Sequence, residues 1–117
     1  MAHLSTHVLD TAAGKPASGL KVDLYRWDGP ERVHCITVYT NSTGRTDQPL
    51  LSGDRIPVGR YELIFAAGNY LRGCGVLLPD PPFLDEVVVR FGIANGAGKY
   101  HVPLLLSPYG YSTYKGA

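Results

Sequence analysis

The chain has 117 residues, of which 14 are glycine and 9 are proline. That density excludes a helical bundle, whose long runs must stay free of both, while the 44% hydrophobic content excludes a disordered low-complexity chain. There are 11 Lys and Arg against 10 Asp and Glu, a formal net charge of +1, and no basic run, so the clustered cations of non-specific nucleic-acid binding are missing. The expectation is one compact, β-rich domain over residues 1–117, with a near-neutral surface that favours self-association.

The N-terminal segment Met1 to His7 has neither a basic start nor an apolar stretch, so no secretory signal is visible. No apolar run approaches the roughly 20 residues of a membrane span, and the closing Lys115-Gly116-Ala117 is no peroxisomal address. A cytoplasmic protein without membrane contact is therefore expected. In chain order, Ser5-Thr6-His7-Val8-Leu9 reads as a strand with Val8 inward and His7 outward. Leu20 to Trp27 alternates, with Val22, Leu24 and Arg26 on one side and Lys21, Asp23, Tyr25 and Trp27 on the other. Val33 to Thr40 is rich in β-branched and aromatic residues. Tyr61, Leu63 and Phe65 alternate with Glu62 and Ile64. Ala66 to Cys74 is the one stretch able to hold a short helix, limited by Gly68 and Gly73. Val87 to Phe91, Tyr100 to Leu106 and Tyr111 to Lys115 complete the strands, and Gly, Pro, Asn and Asp clusters separate the runs. This pattern predicts an all-β fold: an antiparallel β-sandwich of about eight strands with one short helix.

Several chemistries fall away. Cys35 and Cys74 form no Cys-x-x-Cys pair, so redox and zinc-ribbon functions are not expected, and two reduced, buried thiols are. Ile93 to Tyr100 ends in Gly98-Lys99, but Ile93 and Tyr100 stand where a phosphate loop needs Gly and Ser or Thr, so it reads as a glycine-rich hairpin. No Gly-x-Ser-x-Gly elbow and no His-Glu-x-x-His is present. His3 and His7 lie four residues apart, which on a strand is roughly 13 Å, too far to share one ion. No metal and no cofactor are expected.

Strand parity puts Tyr100, Val102, Leu104 and Leu106 on the core face and turns His101 outward with Pro103 and Leu105. His7 and Leu9 point outward likewise, and an outer face that mixes histidine with apolar residues reads as a second interface. Arg45 sits in the turn Asn41-Ser42-Thr43-Gly44-Arg45-Thr46-Asp47. It is either solvated, or paired with Asp47, or a fixed cation for an anionic or carbonyl-rich ligand. Asn41-Ser42-Thr43 matches a glycosylation sequon and, without secretion, is read as a turn.

Together these segments carry a resemblance. Leu4 to Asp10 resembles the opening signature of the enzyme branch of the transthyretin family, and Gly44-Arg45-Thr46-Asp47 is similar to its second motif. Tyr100 to Tyr114, running Tyr-His-Val-Pro-Leu-Leu-Leu-Ser-Pro-Tyr-Gly-Tyr-Ser-Thr-Tyr, resembles its C-terminal signature. The resemblance implies a transthyretin-like (prealbumin-like) sandwich, assembled as a homotetramer that is a dimer of dimers, with active sites between dimers. It implies metal-free hydrolysis of 5-hydroxyisourate to 2-oxo-4-hydroxy-4-carboxy-5-ureidoimidazoline in urate catabolism. The catalytic trio maps onto His7, Arg45 and His101, and substrate contacts onto His7, Arg45 and Tyr114; which histidine is the base stays open. The alternative is a non-catalytic ligand-binding tetramer of the carrier kind, against which His7, His101 and Tyr114 speak. The tail departs from the family's usual Tyr-Arg-Gly-Ser: here Lys115 and Ala117 flank Gly116, losing a planar fork and a hydroxyl.

Overall fold

The computed structural model describes residues 1–117. The strands are β1 (Ala2–Asp10), β2 (Lys15–Pro16), β3 (Lys21–Asp28), β4 (Glu31–Tyr39), β5 (Leu51–Gly53), β6 (Gly59–Phe65), β7 (Val87–Ile93), β8 (Lys99–Ser107) and β9 (Gly110–Thr113), with one helix, α1 (Ala67–Gly73). They form two sheets. The first runs β2-β1-β8-β9 with β5 also on β1; the second runs β4-β3-β6-β7. The expected sandwich and its single helix are present. The expected antiparallel pairing has one exception, because β1 and β8 run parallel from His3 opposite Lys99 to Asp10 opposite Leu106. Such a pair needs a long crossover, here the whole second sheet and α1. The two shortest strands, β2 and β5, are too brief to show a period of their own in the sequence.

Inward-facing residues of both sheets make the core. Leu4 and Val8 of β1, Val22 and Leu24 of β3, Leu63 and Phe65 of β6, and Leu104 and Leu106 of β8 are fully buried, each worth roughly 1.5–3 kcal/mol of burial. Pro103, expected outward, is covered on the outer face, where its neighbour across β1 is His7. At the end of β1 the buried Asp10 accepts a hydrogen bond from Tyr70 of α1 at 2.9 Å and one from the Ala13 amide at 2.9 Å, pinning the helix to the first sheet. Cys35 and Cys74 are free, as expected, but exposed rather than buried. Cys35 lies on β4, an edge strand exposed over its first five residues, and Cys74 caps the last turn of α1. No helix is long and apolar enough to cross a membrane.

The first sheet is organised around β1. One edge of this strand pairs throughout with β8. The other is shared by β5, at Ala2 to Leu4, and β2, at Leu9 and Asp10. The gap between them is closed by the 41–47 turn, whose Gly44 carbonyl accepts the Val8 amide at 2.8 Å. Gly44 has φ +78°, and a Cβ there would overlap the Val8 carbonyl oxygen, so only glycine lets the turn lie this close.

Candidate active site

The strict alternation of β1 turns His3, Ser5 and His7 to the outer face. The parallel register places Ser5 directly beside His101 of β8. Ser5 Oγ lies 2.8 Å from His101 Nδ1 and fixes the ring from one side. The chain's tail fixes it from the other. The Gly116 amide donates to the His101 carbonyl at 2.8 Å, and a Cβ on Gly116 would stand 2.6 Å from His101 Cδ2. Glycine at 116 is thus what allows the tail to lie against the imidazole. His101 Nε2 has no hydrogen-bond partner within the chain.

His101 and Arg45 line one cleft of about 210 Å3, together with Ser5, Thr6, Thr46, Asp47 and Pro49. Burial of the ring pushes the His101 pKa below its ordinary 6.5, and the nearby His7, Arg45 and His3 push the same way, against a hydrogen bond to Ser5. These causes disfavour the charged imidazole, and the ring shares its cleft with the Arg45 guanidinium. Arg45 enters none of the chain's ion pairs.

His7 is held differently. Its Nε2 lies 2.8 Å from the Thr43 carbonyl, which can only accept, so Nε2 carries a proton. His7 thus ties β1 to the turn that bears Arg45, leaving Nδ1 as its one uncommitted nitrogen. Tyr114 lies apart from the cleft. It lines an apolar slot of about 220 Å3 at the flank between the sheets, with Phe91, Tyr100, Val102 and Lys115 among its walls. Lys115 Nζ rests 5.5 Å from the Tyr100 ring centroid, so this departure from the usual tail is engaged in packing. The structure therefore brings together His101, Arg45 and His7, and sets Tyr114 two residues before the glycine that covers His101. Ser5 and Gly116 act on His101 without having been singled out in the sequence. Parity offered a signal for Ser5, two residues from His7 on the same face; for Gly116 the one signal was its place in the tail motif, where the family's usual tail also has glycine. No group of three or more His, Cys, Asp or Glu side chains is arranged to hold a metal ion.

The architecture is that of the transthyretin-like sandwiches. It superposes on a sea bream transthyretin solved in complex with thyroxine with a TM-score of 0.86, at 26% identity over 97% of this chain and 94% of that one. It superposes on a Klebsiella pneumoniae 5-hydroxyisourate hydrolase with a TM-score of 0.82, at 32% identity over the full length of both. A Rhizobium meliloti (strain 1021) protein named 5-hydroxyisourate hydrolase 2 is 61% identical over 97% of this chain and 95% of its own length. Residues 4–116 match the HIUase/Transthyretin family. The chain belongs to that family.

Proposed function

We propose that the chain hydrolyses 5-hydroxyisourate, the reaction for which its 61%-identical relative is named, at the cleft between β1, β8 and the 41–47 turn. The observation that carries this reading is the pairing of a positioned His101, held by Ser5, with an unpaired Arg45 in one cleft. A carrier site needs neither. Hydrolysis of a ring amide needs both: an acceptor for the proton of water and a cation where negative charge develops.

In this reading water attacks the ring carbonyl while His101 Nε2 takes its proton. The carbonyl electron pair moves onto oxygen, where Arg45 stabilises it, by roughly 3–4 kcal/mol if it matches other oxyanion donors. The pair then returns, the ring C–N bond breaks, and the imidazolium gives its proton to the departing nitrogen. Water has been added across the bond, giving a carboxylic acid, which releases its remaining proton to solvent and leaves a carboxylate beside Arg45, and a ureido group; the product is 2-oxo-4-hydroxy-4-carboxy-5-ureidoimidazoline. His7 holds the arginine-bearing turn and adds to the field that disfavours a charged His101. No step calls for a metal.

We infer a homotetramer as well. β7 and β9 are edge strands, one from each sheet, and border the same flank slot. Val88, Tyr111 and Tyr114 are 46%, 46% and 57% exposed. Pairing two chains there extends both sheets at once, and stacking two such dimers over the outer faces of β1 and β8 would enclose the clefts and bring Tyr114 of one chain toward substrate. The test is the decay of freshly generated 5-hydroxyisourate, followed by ultraviolet absorbance, with and without a strong chelator, alongside light scattering. Acceleration unaffected by the chelator, from a tetramer, is expected. A rate no higher than that of His101→Ala protein would sink the reading; so would tight binding of a thyroid-hormone-like ligand without turnover.

A further inference from the structure

Resting on the placement of Arg45 in the hydrolytic cleft, we propose that Asn41 is a positioning residue that keeps the Arg45 guanidinium unpaired. A carboxylate stands two residues from Arg45 and lines the same cleft: Asp47. By ordinary electrostatics the two would neutralise each other, since a guanidinium and a carboxylate form a two-pronged pair wherever geometry allows. They form no ion pair here. Asp47 Oδ1 instead accepts from Asn41 Nδ2 at 3.0 Å.

The other end of the Asn41 amide is fixed by three donors. Its Oδ1 accepts from the Thr43 amide at 2.9 Å, from Thr43 Oγ1 at 2.7 Å and from the Arg45 amide at 3.3 Å. Three converging donors leave no choice of which atom is oxygen, so Nδ2 must face Asp47. The backbone of Asn41 closes the same loop, its amide donating to the Arg45 carbonyl at 2.7 Å and its carbonyl accepting the Gly44 amide at 2.9 Å. One side chain thus does two jobs. Its oxygen curls the turn and sets the direction in which Arg45 leaves the backbone, and its nitrogen holds the competing carboxylate away from the arginine. The Asn-x-Thr triplet that looks like a glycosylation sequon is accounted for by this turn.

Asn41→Asp separates the two jobs, because it keeps an oxygen for the turn and removes the donor to Asp47. Two carboxylates then repel, and Asp47 is released toward Arg45. The expected result is a fall in kcat/KM of roughly 10- to 100-fold, of the order found when a transition-state cation is compromised, with KM raised and the melting temperature within about 3 °C of wild type. Adding Asp47→Asn to Asn41→Asp removes the released carboxylate and should recover most of the loss. A loop that had merely come loose would not be rescued in this way. Arg45→Ala is the control. If Arg45→Ala is impaired but Asn41→Asp stays within twofold of wild type, or Asp47→Asn fails to rescue it, the role given to Asn41 is overturned and that of Arg45 stands. If Arg45→Ala turns over at the wild-type rate, both are overturned.

Discussion

The outer faces of the two sheets carry the same kinds of side chain and use them in opposite ways. On the second sheet Glu62 of β6, with its side chain only 4% exposed, accepts from Arg32 at 3.1 Å and from Arg90 at 2.7 Å. Each arginine also lies over an aromatic ring, Arg32 at 3.9 Å from the Tyr25 centroid and Arg90 at 4.5 Å from that of Trp27. His34 is likewise held by Asp23 at 3.1 Å and by Thr37 at 2.8 Å. One buried polar atom is left over, Trp27 Nε1. On the first sheet the arginine has no carboxylate, and His101 keeps one nitrogen free. A satisfied cluster lowers the energy of the chain that holds it; an unsatisfied one keeps its interaction energy for a ligand. Charge and aromatic content alone do not mark a site. What sets the first face apart is a held imidazole and an unpaired arginine sharing one cleft.

The contrast can be broken from either side. The largest effect is expected from His101→Ala, which should cut kcat/KM by about 10²- to 10⁴-fold, the range for loss of a general base, while the melting temperature stays near wild type. Glu62→Ala should do the reverse. It removes a buried carboxylate but leaves two half-exposed arginines able to find water, so the loss is about 1–3 kcal/mol, seen as a lower melting temperature, with kcat unchanged. Burial raises the Glu62 pKa, but the bonds from Arg90 and Arg32 outweigh it and hold the carboxyl below its ordinary 4.5. Its stabilisation is therefore full above pH 4.5 and lost as pH falls through the lower folded value; Glu62→Gln should flatten that acid limb of a pH–melting curve.

Smaller effects sharpen the other face. Ser5→Ala should lower kcat/KM by up to roughly tenfold, one hydrogen bond's worth of His101 orientation. In the wild type, kcat/KM should rise with pH along a limb centred below 6.5, since His101 must be neutral to accept a proton and its pKa is depressed. Arg45→Gln should move that limb upward, toward but not reaching 6.5, because burial remains the larger cause. A limb centred above 6.5 would remove His101 from the role of base.

The sandwich, its single helix and the faces of its strands are all legible in the order of the amino acids. Val8, Val102, Leu104 and Leu106 point inward and His7 and His101 outward because side chains on a strand alternate with period two, and that period survives folding. The motifs around His7, Arg45 and His101 carry the family resemblance and, through it, point to a candidate site before any contact is known. Whatever depends on register and on distant neighbours comes only with the folded chain. The parallel β1–β8 pairing joins Ser5 to His101, residues 96 apart in sequence, and no shorter-range contact could put that hydroxyl on that ring. Burial of the ring and the surrounding His7, Arg45 and His3 side chains lower the pKa of His101, and hydrogen bonding separates it from His7, whose Nε2 is committed to Thr43. Parity along one strand cannot choose between two outward histidines. The hydrogen bonds that meet each ring can, because they fix which nitrogen is free.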